Sequence, residues 1–518
     1  MHRARLADLE RDGPPTRAVS SLGVIDIGSN TARFVVFEAS GAGTVRPIYE
    51  TKDAPRLGSG TGSDGSLSPE ALVRGIATVR RFSRAIRALR VPKTLAVATS
   101  AVRDAPNGPD FVREVERSTG ISLRTISGTA EARYAYLGVA SAWELGNDIV
   151  CDLGGGSLQL AEVRDGSLRN SVSLPLGALR LSQRFFDHDP PKRREYDALR
   201  VHVRETLSSI LEAFGGGPYR LFGVGGTVRS LARAAIEFRE YPVRRVHGYP
   251  LYANDIDALE ELLGEMPATR RRAIPGIGGD RADVVLAGIV VFSELLRAVE
   301  AERLLVSATG IREGIALESL GVKLPVPAEV LAQRSVAAAS EAFSFDLAHG
   351  EDVEATSAAL FRLLAPTFDG GRSEALALSV AAWMHDAGVT IDLWNHAIHS
   401  SYLIQNYPMW GLDQREVLLA SMAAYLHDGL DAPSEWKKGY LPIVRPPDLE
   451  TAVRLGAILL AAKFLTPLRP KFSLSSDRAI LTVSFSATKD TTLPPRWADK
   501  VRKTMERAFD LEVRYRDT

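Results

Sequence analysis

The sequence predicts an α/β protein with two related lobes, followed by an all-α domain and a small α+β domain. Two observations predict the lobes: the segments SLGVIDIGSNTARFVVFEASGAG and NDIVCDLGGGSLQLAEVRDGS follow one pattern, and strand-like runs alternate with helix-like runs between and after them. A later stretch is rich in Ala, Leu and charged residues with few strand signals, which predicts helices. A chain of 518 residues also exceeds what one hydrophobic core usually organises. The predicted boundaries are 1–20 for a flexible tail, 21–133 and 134–322 for the lobes, 323–466 for the helical domain and 467–518 for the α+β domain.

Composition narrows the class of protein. Lys plus Arg and Asp plus Glu both total 63, so the whole chain has no net charge with which to attract a polyanion, and local patches must do so. The single cysteine, Cys151, excludes an intrachain disulfide and fits a reducing compartment. Asp283 and Glu294 interrupt the longest apolar stretch, which is shorter than the roughly 20 residues of a bilayer span. We therefore expect a cytoplasmic protein with no membrane segment and no nucleic-acid partner.

Each of the two related segments predicts a β-hairpin. An apolar run reaches an aspartate, Asp26 in one copy and Asp152 in the other, and a glycine turn with small hydroxyl residues precedes a second run. Turn glycines permit close approach of a ligand, and their backbone N–H groups can face a phosphate. Two such copies predict two lobes that face a cleft, in which both carboxylates approach one metal–phosphate cluster.

These hairpins resemble those of the actin, sugar-kinase and heat-shock ATPase superfamily, whose lobes have a ribonuclease H-like fold. Four further segments, ATSAVRDAPNG, ISGTAEARYAYLGVA, LFGVGGTVRSLA and VSATGIREGI, resemble the exopolyphosphatase and guanosine pentaphosphate phosphohydrolase family in the order that this family shows them. With the PLGALRL and RADVVLAG stretches, the resemblance spans roughly residues 22–320. It implies Mg²⁺-dependent hydrolytic release of terminal orthophosphate from inorganic polyphosphate, and a homodimer.

Hydrolysis of a phosphoanhydride requires charge neutralisation, a positioned terminal phosphate and an oriented water. Asp152 and Asp26 suit Mg²⁺, with Mn²⁺ as an alternative, because hard cations prefer carboxylate oxygens. The resemblance implies that Glu131, in the SGTAEA motif, is the general base; the alternative is an acid that only favours the start of a helix. The phosphate-binding candidates are Gly28, Ser29, Asn30, Thr31, Arg103, Gly154, Gly155, Gly156, Ser157, Gly225, Gly226 and Thr227.

Two positions depart from the family pattern. The first Glu of its Glu-Glu pair is Ala130 here, and a Glu that is common after the second glycine turn is Gln159. Neither change removes Glu131. The Gln159 change lowers the local negative charge, so we expect it to affect the preference or affinity for the metal.

The helical domain resembles the histidine–aspartate (HD) superfamily of metal phosphohydrolases. In that superfamily a His, a His-Asp pair and a later Asp surround a metal, and His349, His385, Asp386 and Asp428 match those places as a second metal site. The alternative is a scaffold without metal that serves substrate binding and dimerisation. His396 and His399 are not assigned as ligands.

Three other functions stay open. The same family includes enzymes that hydrolyse guanosine-5'-triphosphate,3'-diphosphate (pppGpp), and the shared motifs do not separate the two substrates; the length of the chain favours polyphosphate. A phosphotransferase of the sugar- or acetate-kinase type would need an acceptor signature, which the sequence lacks. A silent sensor of guanosine tetraphosphate (ppGpp) or polyphosphate is opposed by the joint presence of Asp26, Arg103, Glu131 and Asp152.

Overall fold

The structure is a computed structural model that describes residues 21–62, 64–429, 433–434, 436–475, 478–485 and 494–517. The predicted tail, 1–20, lies outside the described residues. The chain divides after Val326 into two compact units, close to the predicted boundary at 322.

The first lobe is built on a five-stranded sheet. Its strands follow the order β3-β2-β1-β4-β5, in which β1 pairs antiparallel with β2 and parallel with β4. The elements are β1 (Leu22–Ile27), β2 (Ala32–Ala39), β3 (Val45–Asp53), α1 (Pro69–Ala88), β4 (Thr94–Ala98), α2 (Ser100–Asp104), α3 (Gly108–Thr119), β5 (Leu123–Thr125) and α4 (Gly128–Ala140). Alternating apolar residues of these strands are buried against α1 and α3, which accounts for the hydrophobic runs in the sequence.

The second lobe repeats this plan with one more strand. Its sheet has the order β10-β11-β9-β6-β7-β8, in which β6 pairs antiparallel with β7 and parallel with β9, as β1 does with β2 and β4. The elements are β6 (Asp148–Leu153), β7 (Leu158–Arg164), β8 (Ser167–Leu174), α5 (Ala178–Phe185), α6 (Arg193–Leu211), β9 (Arg220–Val224), α7 (Gly226–Phe238), β10 (Pro250–Tyr252), α8 (Ala253–Gly264), α9 (Ala268–Arg271), α10 (Val285–Ala298), β11 (Arg303–Val306) and α11 (Ile311–Ser319). Both predicted hairpins are present, at equivalent places in the two sheets.

The helices α4 and α11 cross in direct contact. A side chain at Gly138 would overlap the backbone of Gly310, and one at Gly314 would overlap the backbone of Tyr134, so glycine permits this crossing. Ile315 of α11 packs into the core formed by the first sheet. The predicted span 134–322 for the second lobe therefore differs from the structure at both ends, because α4 contains the predicted boundary and α11 returns to the first lobe.

The second unit is mostly helical. Its elements are α12 (Ala328–Phe343), α13 (Leu347–Leu364), α14 (Arg372–Met384), α15 (His396–Asn406), α16 (Gln414–Leu426), α17 (Trp436–Gly439), α18 (Pro446–Leu465), β12 (Lys471–Leu474), β13 (Ile480–Phe485), α19 (Pro495–Phe509) and β14 (Glu512–Asp517). The three strands form one sheet in the order β12-β13-β14. By length and composition alone the segment Pro446–Leu468 is apolar enough to cross a membrane, but 67% of its most apolar window is buried, as in the core helix of a helical bundle.

Candidate active site

The two glycine turns have the same geometry and contact each other. In each, the amide of the first glycine donates to the carbonyl three residues later: Gly28 N to Thr31 O, and Gly154 N to Ser157 O, both at 3.0 Å. A Cβ atom at Gly155 would lie 3.0 Å from the amide nitrogen of Asn30, and one at Gly156 would overlap the hydroxyl of Ser29. Glycine in the second turn thus lets the loops of the two lobes meet.

A cleft of about 100 Å³ lies between the lobes at these turns, which is room for several water molecules. It is lined by most of the predicted site residues: Asp26, Gly28, Ser29, Asn30, Thr31, Glu131, Asp152, Gly154, Gly155, Ser157, Gly225, Gly226 and Thr227. The structure therefore brings the two duplicated turns and both aspartates together at one cleft.

Two predicted phosphate-binding residues lie outside the lining of this cleft. The guanidinium of Arg103 donates a hydrogen bond to Glu131 Oε2 at 3.1 Å, and so holds the Glu131 carboxyl in place without lining the cleft itself. Gly156 lines an adjoining cavity of about 350 Å³, which shares Ser29 and Gly155 with the cleft. Arg180 of that cavity donates to the carbonyl of Gly156 at 2.9 Å. Sequence spacing did not predict either arrangement, because both depend on contacts between distant segments.

Glu131 lies in the first turn of α4 and is only 5% exposed. The pKa of its carboxyl is raised to about 8, mainly by burial and also by the negative charges of Asp152 and Asp26, while Arg103 opposes the shift. A general base works best with a pKa near the operating pH, so this environment suits Glu131 to proton transfer.

Asp26 and Asp152 occupy equivalent places near the ends of β1 and β6. Burial, and then the charge of Asp26, raises the pKa of Asp152 to about 6, and burial also raises the pKa of Asp26. Two desolvated carboxylates that repel each other are stabilised by a shared cation, and oxygen donors of this kind suit Mg²⁺. The residues present therefore fit a Mg²⁺ ion.

Four arginines of the cleft were not assigned from the sequence. They are Arg33, Arg229, Arg281 and Arg312, each of which lies within a segment that carried the family resemblance. With three carboxylates in the lining, Asp26, Glu131 and Asp152, the four guanidinium groups leave the cleft with a net positive charge before any metal binds. This charge supplies the local attraction for a polyanion that the neutral chain as a whole lacks.

Arg229 and Arg312 lie in the first turns of α7 and α11, two helices next to the cleft. Arg229 donates from Nε to Gly225 O at 2.9 Å and from Nη1 to Ala308 O at 3.1 Å, and its burial lowers its pKa to about 9. Arg312 Nη1 lies 3.7 Å from Asp26 Oδ2, and its buried Nε has no hydrogen-bond partner among the described residues. In both cases a glycine precedes the helix and the arginine lies in its first turn. This pattern in the sequence could have identified Arg229 and Arg312 as candidate anion-binding residues.

Gln159, one of the departures from the family pattern, lies beside Asp152 in the β6–β7 ladder. Its side-chain amide donates to the hydroxyls of Ser157 at 2.6 Å and Ser173 at 3.0 Å, and it does not line the cleft. Gln159 is therefore linked to the cleft by its hydrogen bond to Ser157, which lines it. The other departure, Ala130, has its amide bonded to the Ser127 hydroxyl that caps α4.

The predicted second metal site differs in one member from the cluster that the structure forms. His349, His385 and Asp386 lie together, but Asp428 is not part of either metal-compatible group in the described chain. Instead, His396 and His427 join Asp386. His427 directly follows α16 and is buried, whereas Asp428 lies in the turn after it.

Two lobes with one sheet plan, joined at a cleft with paired aspartates and glycine turns, define a protein of the actin-like fold. Residues 35–323 match the Ppx/GppA phosphatase family, and residues 331–491 match Ppx/GppA phosphatase, domain III. The chain belongs to the Ppx/GppA phosphatase family.

Its relatives include enzymes with two different names. Exopolyphosphatase 1 of Mycobacterium tuberculosis is 34% identical over 308 residues, which cover 58% of this chain and 88% of that protein. A guanosine-5'-triphosphate,3'-diphosphate pyrophosphatase of Aeromonas hydrophila is 27% identical over 502 residues, 94% of this chain and 95% of that protein. The crystal structure of an exopolyphosphatase from Cytophaga hutchinsonii aligns with a TM-score of 0.55 and 27% identity, over 58% of this chain and 99% of that one. Because the guanosine-named relative is similar along almost the whole chain, length does not favour polyphosphate.

Burial of Glu131 and Asp152 predicts how the metal-free protein responds to pH. The carboxyls of Glu131 and Asp152 bind protons more tightly in the folded protein than in the unfolded chain, so their ionisation lowers the free energy of unfolding. This loss of stability is absent below pH about 4, grows as the pH rises, and is complete above about 8. With chelator present, Glu131→Gln removes part of this penalty. We expect the variant to melt at a higher temperature than the wild type near pH 8.5, by on the order of a few kcal/mol of unfolding free energy, and to differ less near pH 5.

Thermal melts of both proteins across this pH range, with chelator, measure the effect. The exposed Glu116, replaced by Gln, is the matched control and should follow the wild type. If Glu131→Gln is no more stable than the wild type at the higher pH, burial and charge repulsion do not raise the pKa of Glu131 as described.

Gly225 is required by its conformation and by its neighbour. Its φ is +96°, and a Cβ atom there would lie 2.6 Å from Asp152 Oδ1. We expect Gly225→Ala to lower stability by about 1–2 kcal/mol from backbone strain, and also to displace the Asp152 carboxylate and lower the affinity for Mg²⁺. Gly120, with φ +72° and open space around its Cβ position, is the control: Gly120→Ala should lose stability without loss of Mg²⁺ affinity. If Mg²⁺ titrations give the same affinity for Gly225→Ala and Gly120→Ala, the added methyl group at position 225 does not displace the Asp152 carboxylate.

Proposed function

We propose that this protein is an exopolyphosphatase, which hydrolytically releases terminal orthophosphate from inorganic polyphosphate. One observation carries the proposal: two glycine turns, three carboxylates and four arginines face a single cleft, with Glu131 buried at its edge. Such a site neutralises a polyanion, positions its end and offers a base for water, which are the requirements of phosphoanhydride hydrolysis. The exopolyphosphatase relatives with 34% identity support this reaction.

A residue of the cleft can be assigned to each step of the proposed reaction. The turn amides and the arginines bind the oxygens of the terminal phosphate, and Arg103 holds the Glu131 carboxylate toward the cleft. The oxygen of a water molecule bonds to the terminal phosphorus while Glu131 takes its proton. The bond from that phosphorus to the bridging oxygen breaks, and the oxygen leaves with the shortened chain.

Asp26 and Asp152 would hold Mg²⁺, with Mn²⁺ as the alternative. When bound, such an ion supplies positive charge to the phosphate oxygens and relieves the repulsion between the two carboxylates. Water binding, proton transfer and positioning of the chain are assigned to the protein residues named above.

The test is orthophosphate release from long-chain polyphosphate by the purified protein, with Mg²⁺ and with excess chelator. The length of the remaining chains is followed on a gel. Metal-dependent release with shortening from the ends is expected. A folded protein that binds polyphosphate without releasing phosphate would refute the hydrolase and favour the sensor.

A second candidate substrate is pppGpp, because the guanosine-named relative is similar over 94% of this chain. This reaction would use the same cleft and the same Glu131, and would release the 5'-terminal phosphate. The ratio of kcat/KM for polyphosphate and for pppGpp decides between the two. A loss of activity that affects both substrates equally cancels in this ratio, so the ratio still shows which substrate the protein prefers.

For the remainder of the chain we propose an HD-like fold for the helical part, 323–466, and a small α+β domain for 467–518. We further propose a homodimer in the cytoplasm. The helices α12 to α18 and the sheet β12-β13-β14 support the domain assignments, and family resemblance supports the dimer. Light scattering of the full chain measures the oligomeric state, and a monomer at micromolar concentration would refute the dimer.

A further inference from the structure

The loop of residues 278–284, between α9 and α10, carries one of the four arginines of the cleft. Arg281 of this arginine loop lines the cleft, and a Cβ atom at Gly226 would overlap its Nη2 atom, so its side chain lies across the first residue of α7. Its guanidinium makes no hydrogen bond to another residue of the described chain, and its ion pair with Asp280 is long, 3.9 Å from Nε to Oδ2. The N–H donors of Arg281 are therefore available to an anion.

The neighbours of Arg281 in the arginine loop bind the first lobe. Asp280 pairs with Lys52 of β3, and Asp283 pairs with Arg56, which follows β3 in the chain. The carbonyl of Asp280 also accepts a hydrogen bond from the side-chain amide of Asn30, in the first glycine turn, at 3.0 Å. Because the arginine loop belongs to the second lobe, each of these contacts joins the two lobes.

The second lobe holds the same loop through its backbone. Ser182 Oγ of α5 donates to the carbonyl of Asp283 at 2.7 Å, and Nη1 of Arg271, a buried residue of α9, donates to the carbonyl of Ala282 at 2.5 Å. Residues 280, 282 and 283 are thus all held by contacts outside the loop. The residue between them, Arg281, keeps its donors for the cleft.

The two aspartates of the loop have two opposite effects on an anion in the cleft. Through its negative charge, a carboxylate near the cleft weakens the binding of a polyanion. Through their ion pairs, Asp280 and Asp283 hold the loop that carries Arg281, which strengthens it. Partly exposed ion pairs contribute little to stability, so both pairs can be removed without unfolding the protein. The sign of the change in affinity then shows which effect is larger.

We propose that Asp280 and Asp283 are positioning residues: their ion pairs with the first lobe hold Arg281 in the cleft, where its guanidinium contacts the terminal phosphate of the substrate. Lys52 and Arg56 then serve the arginine loop rather than the substrate. The identity of the ligand as a phosphate chain rests on the proposed function.

Binding of inorganic tripolyphosphate to the full chain, measured by calorimetry with excess chelator, tests the positioning role without turnover. In the double variant Asp280→Ala/Asp283→Ala, the loss of two negative charges would by itself raise the affinity. We expect instead a fall of about 10-fold, because a displaced Arg281 loses charge-assisted hydrogen bonds to phosphate. The control Asp197→Ala/Glu205→Ala removes two exposed charges from α6 of the same lobe and should bind as the wild type does.

Dependence on Arg281 separates positioning from a general change of structure. Arg281→Ala should lower the affinity by about 10- to 100-fold, and adding the two aspartate substitutions to it should cause no further loss. Unchanged or higher affinity in Asp280→Ala/Asp283→Ala would overturn the positioning role, and so would a further 10-fold loss in the Arg281→Ala background. A wild type that binds tripolyphosphate but releases no orthophosphate from polyphosphate would refute the proposed reaction alone, since this comparison needs no turnover.

Discussion

Replacing Glu131 by Gln is expected to lower kcat for polyphosphate by about 10²- to 10⁴-fold, the usual contribution of a general base, while KM changes little. The amide keeps the size of the carboxyl and a hydrogen-bond acceptor for Arg103, but it cannot take a proton from water. The arginines and glycine turns that we propose to bind polyphosphate are left in place. The loss therefore falls on the chemical step.

Initial rates of orthophosphate release, at several polyphosphate concentrations and saturating Mg²⁺, measure this split. Glu116→Gln, an exposed change of the same kind on α3, should keep wild-type kcat and KM. If Glu131→Gln keeps near-normal turnover, another group activates the water. If it raises KM at unchanged kcat, Glu131 serves binding only.

The role of Arg103 follows from the same geometry. Its Nη1 atom donates to Glu131 Oε2 at 3.1 Å and also contacts the carbonyl of Ile126 at 3.4 Å. Arg103 is bonded to Glu131 and does not line the cleft, so it limits the rise of the Glu131 pKa, and we expect it to position Glu131 for the proposed reaction. We expect phosphate contact to be made instead by the arginines that line the cleft, Arg33, Arg229, Arg281 and Arg312.

Local pattern in the sequence predicted the two hairpins and the aspartates at their turns. A strand that ends in Asp and a glycine turn is encoded within a few residues, so Asp26 and Asp152 are recognisable without knowledge of the rest of the fold. Duplication then indicated that the turns face one another. The placement of Glu131 in the cleft rested on family resemblance, since an acid at the start of a helix is common for local reasons alone.

The remainder depends on contacts between distant parts of the chain. Arg312 meets Asp26 only because α11 crosses α4 and returns to the first sheet, which no local periodicity encodes. Likewise, Lys463 reaches Asp386 because α18 packs against α14, and in the sequence it is one cation within an apolar helix. Its aliphatic stem suits that helix, and its charged end is stabilised by Asp386.

The replacement of Asp152 by Asn is the second change with a large expected effect. Asp152 is 8% exposed, and its pKa is raised to about 6 by burial and by the charge of Asp26. Removing its charge lowers the repulsion on Asp26 and Glu131, so the metal-free variant should be more stable near pH 8 than the wild type. It also removes a hard oxygen donor, so Mg²⁺ should lose much of its affinity.

We therefore expect Asp152→Asn to have opposite effects on stability and on activity. Mg²⁺ should raise the melting temperature of the wild type but hardly that of the variant, and orthophosphate release should fall by at least about 10²-fold, as for loss of a preorganised charge at a reacting phosphate. Asp165→Asn, at an exposed turn of the same lobe, should keep both the Mg²⁺ response and the activity. A variant that keeps the full Mg²⁺ shift would place the ion on other residues. A variant that is less stable than the wild type without metal would mean that Asp152 stabilises the fold, and that the raised pKa does not reflect repulsion in the cleft.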